Sequence, residues 1–233
     1  MTLVIAMVHP ERIELLSDRA TIDENGALIE IRDKTRTRTV PLMAVVGRGR
    51  AALLDTMDAA LDAAVEAHGI DLGLAAFESV VATHRNTIEV AGADFDMLIA
   101  GVSETSGLSL WLFPSHDRIQ GFPAYSVTKA PAGFSLAFGG RIDLKALAAK
   151  GVQQHSLAAS LKAGTLLSDF GATIAETMRE ASGFDDETDP MRFGQCSIGG
   201  GVDLVTVTEA HADNLPLCRW LEDQIGQPVG RES

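Results

Sequence analysis

Cysteine is scarce in this sequence, and basic residues are few relative to acidic ones. The two cysteines among 233 residues, Cys196 and Cys218, cannot build a disulfide scaffold and lack the spacing of a zinc site. We expect them to be reduced thiols of a cytoplasmic protein. Lys and Arg number 19 against 32 Asp and Glu, and the net charge of −13 argues against general binding to nucleic acid phosphates or to an anionic membrane.

Long apolar runs are also missing. No run reaches the roughly 18 residues that a transmembrane helix needs, because Asp55, Asp58 and Asp62 interrupt the most apolar region. The first residues lack the basic segment of a secretory signal. The six histidines have no metal-ligand spacing, and the glycines at 199–201 lack the lysine of a phosphate-binding loop. The sequence therefore predicts a protein that uses no metal and no cofactor.

Hydrophobic periodicity predicts an α+β fold made of one domain over residues 1–233. Strand patterns come first, and two helical segments, further strands, two more helical segments and a last strand at 202–207 follow. A short terminal helix is predicted at 216–225. Hairpin-linked strands favour antiparallel sheets, and the first helix has an apolar stripe formed by Leu54, Met57, Leu61 and Val65. A sandwich of two sheets between two helix layers would bury these faces.

Three residues near the start of the chain stand out as candidates for a functional site. Thr2 becomes the first residue if Met1 is removed, and its small side chain permits that removal. Asp18 lies near the end of the second predicted strand, and Lys34 opens a basic strand. Each also has an ordinary interpretation: Thr2 as a plain second residue, and Asp18 and Lys34 as a structural ion pair or as solvated charges.

With these residues and this order of elements, the chain resembles the proteasome β-subunit superfamily of N-terminal-nucleophile hydrolases, which includes bacterial proteasome-like peptidases. The resemblance rests on the threonine that opens the first strand and on the spacing from Thr2 to Asp18 and to Lys34. It also rests on the segments LLSDRAT and VPLMAVVGRGRAALL. It implies a four-layer αββα sandwich of two antiparallel sheets between helix layers.

The resemblance implies a threonine peptidase that needs no cofactor. The Thr2 hydroxyl would be the nucleophile and its free α-amine the base, while Lys34, oriented by Asp18, would lower the pKa of both groups. The backbone N–H of Gly47, which we expect at a strand-to-helix turn, would stabilise the oxyanion. Arg19 and Ser197 are candidate supporting residues.

The chain departs from the family pattern at supporting positions. Gly139 and Gly140 occur where the family has Gly-Ser-Gly, and Gly194 stands where the family has an aspartate before the serine. Three functions therefore stay open. The first is a peptidase that assembles into a ring or other closed structure, cleaves unfolded polypeptide and works with an unidentified ATPase partner. The second is a small-molecule amidase. The third is a non-catalytic subunit of the same fold, and the departures from the family pattern favour this third function.

Overall fold

The computed structural model describes residues 2–90, 94–140, 142–181 and 198–229. These residues form an α+β fold of antiparallel sheets and helices. In chain order the elements are β1 (Val4–Val8), β2 (Ile13–Asp18), β3 (Ala20–Ile22), β4 (Leu28–Ile31), β5 (Arg36–Thr39), β6 (Leu42–Arg48), α1 (Ala51–His68), α2 (Ile70–Thr83), α3 (Arg85–Val90), β7 (Asp96–Ser103), β8 (Gly107–Pro114), β9 (Thr128–Lys129), β10 (Ser135–Phe138), α4 (Leu144–Ala149), α5 (Gln154–Ala163), α6 (Leu166–Glu180), β11 (Val202–Val207) and β12 (Ala212–Cys218).

The strands form two five-stranded sheets and one separate hairpin. The first sheet has the order β10-β1-β2-β11-β12, and the second has the order β5-β6-β7-β8-β9. The β3–β4 hairpin forms a separate two-stranded sheet. Every strand pair is antiparallel, as hairpin connections favour.

The strand β1 is buried on both faces, as its almost continuous apolar sequence predicts. Val4 and Ala6 belong to an apolar cluster that also contains residues of β6, β7 and β8 in the other sheet. Ile5 and Met7 belong to a different cluster, which they share with α4 and α6. Because successive side chains of a strand point to opposite faces, β1 joins two cores.

The apolar stripe of α1 packs inside the chain. Met57, Leu61 and Val65 are buried in a third cluster with Met43 and other residues of β6, β7, β8 and α2. The helix begins after a turn at Gly49, whose φ is +143° and where a Cβ would lie 2.9 Å from Asp94 O. The apolar stripe in the sequence thus correctly predicts α1. Because the core of the chain buries this stripe, little of the apolar surface of α1 is left for a partner.

Three expectations from the sequence are wrong. Lys34 was expected to open a strand, but β5 begins at Arg36. The terminal helix predicted at 216–225 is absent: residues 212–218 form β12, which pairs with β11 and includes Pro216. A proline is tolerated there because β12 is an edge strand, and the side of an edge strand that has no neighbouring strand needs no N–H donor. Gly47 was expected in a turn, but it lies in β6 and the turn falls at Gly49.

Within the described ranges, no helix is both long enough and apolar enough to cross a membrane.

Candidate active site

The start of β1 and the end of β2 are fixed against each other by main-chain and side-chain bonds. Val4 pairs with Ser17, which places Leu3 opposite Asp18. The Leu3 N–H donates to Asp18 Oδ1 at 3.0 Å, and the Asp18 N–H donates to the Leu3 carbonyl at 3.3 Å. Thr2, directly before Leu3, is therefore held at the edge where the Asp18 carboxylate lies.

Lys34 connects these two residues. Its Nζ donates to Asp18 Oδ1 at 2.8 Å and to Thr2 Oγ1 at 3.2 Å. The Asp18 side chain is fully buried, and the Lys34 side chain is only 10% exposed. The interpretation of Lys34 as a solvated charge therefore does not hold. Arg36 and Arg38, which follow it in β5, form ion pairs with acidic residues of α1, namely Asp55, Asp58 and Asp62.

The Asp18 carboxylate accepts four hydrogen bonds from the described residues. Besides Leu3 and Lys34 on Oδ1, Oδ2 accepts from the backbone N–H of Ala20 at 3.2 Å and of Gly199 at 3.3 Å. Burial raises the pKa of Asp18 above its ordinary value, while Lys34 and the Gly199 N–H oppose that shift. The donors thus compensate for the loss of water around the carboxylate, and they fix its orientation toward Lys34.

The Lys34 ammonium has a lowered pKa. Burial is the largest cause, the Asp18 charge opposes it, and the nearby Arg32 charge lowers the pKa further. An ammonium that binds its proton less tightly and lies 3.2 Å from Thr2 Oγ1 can stabilise negative charge on that oxygen. The arrangement is suited to activating the Thr2 hydroxyl.

Thr2 and Lys34 line a cleft of about 1030 Å³, which is large enough for several residues of a peptide. One wall is the β3–β4 hairpin, and another is the connection from β6 to α1. The cleft also contains Gly47, and extending the β5–β6 register places Gly47 opposite Lys34. A Cβ at Gly47 would lie 2.6 Å from Leu54 Cδ2, so the backbone there is closely packed against α1.

Arg19, a predicted supporting residue, joins three parts of the site. Its side chain forms an ion pair with Asp33, the neighbour of Lys34, and donates to Asp203 Oδ2 of β11 at 3.0 Å. Its backbone N–H lies 3.1 Å from the carbonyls of Gly199 and Gly201. Arg19 thus connects the end of β2 to the chain before β5 and to the start of β11.

Four of the residues named in the sequence analysis lie outside the described residues. They are Met1, Gly194, Cys196 and Ser197. Gly139 is described, and a Cβ there would lie 2.8 Å from Leu3 Cα and 3.1 Å from the Thr2 carbonyl oxygen. Its φ is +103°, a conformation that favours glycine. The main chain of Thr2 and Leu3 therefore occupies the space that a side chain at position 139 would need.

Three residues that contribute to the site were not predicted from the sequence. Ser17 Oγ and Thr35 Oγ1 lie 3.0 Å apart and are buried, so the residues next to Asp18 and Lys34 are bonded to each other. Gly199 was considered only as a failed phosphate loop, yet its N–H donates to Asp18. Ser17 and Thr35 could have been found because they are next to Asp18 and Lys34 in the sequence. The Gly199 N–H could not, because a backbone N–H does not depend on the type of residue.

Among the residues that the structure describes, no three His, Cys, Asp or Glu side chains come together as metal ligands would. No protein-family model matches the chain, and no curated protein matches its sequence.

Proposed function

We propose that this chain is an N-terminal threonine hydrolase that cleaves peptide bonds through Thr2 once the residue before it has been removed. The observation that carries the proposal is the contact of Lys34 Nζ with both Thr2 Oγ1, at 3.2 Å, and Asp18 Oδ1, at 2.8 Å, beside a large cleft. If Lys34 and Asp18 formed only a structural ion pair, Lys34 would not need the Thr2 hydroxyl as a second partner.

The first half of the reaction acylates Thr2. The free α-amine, with an ordinary pKa of about 8, takes the hydroxyl proton as Oγ1 attacks the carbonyl carbon of the scissile bond. The Lys34 ammonium stabilises the developing charge on Oγ1, and the Gly47 N–H is assigned to the carbonyl oxygen as it becomes an oxyanion. When the C–N bond breaks, the leaving amine takes the proton from the α-ammonium and an ester on Thr2 remains.

The second half regenerates the enzyme. Water attacks the ester carbonyl while the α-amine takes a proton from it, and the C–O bond to Thr2 breaks. The proton returns to Oγ1, and the product leaves as a carboxylic acid. Thr2 supplies both the nucleophile and the base, and Lys34 and Gly47 stabilise the charges that develop, so the scheme requires no metal and no cofactor.

The distribution of the core supports a four-layer αββα sandwich as part of the proposal. One apolar cluster contains residues of both five-stranded sheets, and two others join each sheet to its own set of helices. That is the order helices, sheet, sheet, helices. Phe138 packs against the sheet-to-sheet cluster and pairs with Val4, near the start of β1 where Thr2 lies.

The substrate proposed is unfolded polypeptide, cut inside a ring or other closed assembly of this chain that an ATPase could feed. The α1 stripe does not support this assembly, because the core of its own chain buries it. Light scattering tests the assembly separately from the chemistry. A monomer with an open cleft would favour the small-molecule amidase instead.

A non-catalytic subunit is the second candidate, and one observation favours it. The Gly139 position leaves no room for a supporting serine, since a Cβ there would lie 2.8 Å from Leu3 Cα. In that case the Thr2, Asp18 and Lys34 contacts would serve stability alone, and Thr2 would not react with electrophiles.

The test uses three proteins: the parent, Thr2→Ala and Thr2→Ser. Intact mass establishes whether Thr2 is the first residue, and fluorogenic peptides measure turnover. A peptide β-lactone should acylate the parent at Thr2 and add its full mass, because the ring opens without a leaving group. We expect Thr2→Ser to keep adduct formation and some turnover, and Thr2→Ala to lose both. Turnover in Thr2→Ala, or in protein that retains Met1, would contradict the mechanism.

A further inference from the structure

The chain beyond β12 returns to the candidate site. The Trp220 ring lies under the Arg179 guanidinium of α6 at 4.4 Å, and Arg179 in turn holds Asp223 through two bonds of 2.7 Å. The Asp223 side chain is 1% exposed and that of Arg179 is 7% exposed. A buried, bidentate ion pair of this kind fixes the relative orientation of its two side chains more firmly than a surface ion pair does.

Asp223 also bonds to the glycine segment that reaches Asp18. The Gly200 N–H donates to Asp223 Oδ2 at 2.6 Å, and a Cβ at Gly199 would lie 2.8 Å from the same oxygen. The Gly199 N–H donates to Asp18 Oδ2. A continuous series of contacts therefore leads from Arg179 through Asp223 and the glycine segment to the carboxylate beside Lys34.

The same terminal segment covers the hairpin wall of the cleft. The Gly226 N–H donates to the Leu28 carbonyl at 2.7 Å, and the Leu28 N–H donates to the Gln227 carbonyl at 2.9 Å. Val229 packs against Ala20 and Leu28. The segment thus contacts both a wall of the cleft and the support of Asp18, and an experiment must separate these two effects.

We propose that Asp223 and Arg179 are positioning residues for the catalytic pair, acting by holding the Gly199 N–H against Asp18. The inference rests on the proposed function for its effect on catalysis. Glycine is the most flexible residue, so a segment of three glycines needs external anchors to keep one N–H in place. The Arg19 N–H holds the carbonyls of this segment, and Asp223 is the acceptor for the Gly200 N–H. If Asp18 loses this donor, its carboxylate can turn away from Lys34, and the ammonium is no longer directed at Thr2 Oγ1.

The test compares Asp223→Asn with Asp213→Asn. Asp213 is a matched control because it is an exposed aspartate of β12 whose ion pair is with His211 at the surface. Hydrogen exchange followed by mass spectrometry reports on the amides of Gly199 and Gly200 and needs no activity. Peptide turnover at a temperature well below unfolding gives kcat and KM.

For Asp223→Asn we expect exchange at Gly199 and Gly200 to become at least about tenfold faster. We expect kcat to fall by about 100-fold, as a small misplacement can cause, with KM changed by less than about twofold. Asp213→Asn should match the parent in all three quantities. If Asp223→Asn does not fold, Trp220→Leu, which removes the ring below Arg179, should give the same changes to a smaller degree.

Unchanged exchange at Gly199 in a folded variant would overturn the inference, and so would faster exchange with an unaltered kcat. A rise in KM alone would assign the terminal segment to the hairpin wall instead. If the parent itself hydrolyses nothing, the proposed function fails, while the exchange data still decide whether Asp223 anchors the glycine segment.

Discussion

Lys34 and Asp18 form a buried ion pair whose 2.8 Å contact is only one of several bonds to the same carboxylate. The pair joins the end of β2 to the chain entering β5, that is, it joins the two five-stranded sheets. Desolvating two charges is costly, and the cost is recovered only where further donors satisfy the carboxylate, as they do here.

Replacing Lys34 should therefore affect both activity and stability. Lys34→Ala leaves the Asp18 charge buried without its cation, and we expect the free energy of unfolding to fall by about 3–5 kcal/mol. Turnover should be lost, because no cation remains beside Thr2 Oγ1. Lys34→Arg should not restore activity, since a planar guanidinium cannot take the place of a compact ammonium. Chemical denaturation and peptide turnover measure the two effects.

Lys129→Ala is the control for this substitution. Lys129 is exposed on the edge strand β9, so its removal should change stability by less than about 0.5 kcal/mol and leave turnover unaltered. If Lys34→Ala were as stable and as active as Lys129→Ala, Lys34 would have no place in the site.

The pH dependence of turnover should have two limbs with known signs. The α-amine must be neutral to act as a base, so activity rises as the pH approaches the pKa of this amine, which is about 8 for an ordinary α-amine and is lowered by a nearby ammonium. Lys34 must be protonated, and its lowered pKa places the loss of activity at a pH below its ordinary value of 10.5. A pH profile of kcat/KM measures both limbs.

Arg32→Gln tests whether Lys34 sets the alkaline limb. The Arg32 charge lowers the pKa of Lys34, so its removal should raise that pKa and shift the limb to higher pH. Arg118→Gln is the control, because Arg118 also lines the cleft but pairs with Asp94. Equal shifts in both variants, or none in Arg32→Gln, would remove Lys34 as the group responsible.

Gly139 should tolerate a side chain less well than another glycine of similar backbone conformation. Gly139→Ala combines a left-handed φ of +103° with a contact of 2.8 Å to Leu3 Cα, whereas Gly133→Ala has φ of +73° and nothing within 4 Å of the new Cβ. We expect Gly133→Ala to cost about 1 kcal/mol and Gly139→Ala about 2 kcal/mol more. Because β1 must move, only Gly139→Ala should also lower turnover. Thermal unfolding and turnover of both variants check this.

Much of the fold could be predicted because its strands and helices have clear apolar periods. The predicted strand at 202–207 coincides with β11, and the stripe of α1 identifies that helix. β12 was missed because Pro216 suggests the first turn of a helix, and only its position at a sheet edge, a property of the tertiary structure, explains why a strand can contain it.

The candidate site, like the fold, has parts that the sequence predicted and parts that it did not. Thr2, Asp18 and Lys34 could be singled out through the resemblance to a known family, and the structure brings their side chains together. The donors that hold Asp18 could not be predicted from the sequence. Most of them are backbone N–H groups, which every residue except proline carries. The anchor at Asp223 lies 44 residues from Arg179, and no local pattern connects them.

The buried contact between Ser17 and Thr35 should contribute to the pairing of the two sheets at the site. Ser17→Ala leaves the Thr35 hydroxyl buried without this partner, and Thr35→Val does the same to Ser17, so each should cost about 1–3 kcal/mol. In the double variant neither hydroxyl remains, and its cost should be smaller than the sum by about 1 kcal/mol. Denaturant unfolding of the four proteins measures this coupling. Additive costs would mean that the 3.0 Å contact contributes nothing, and that Asp18 and Lys34 are aligned by their own bonds alone.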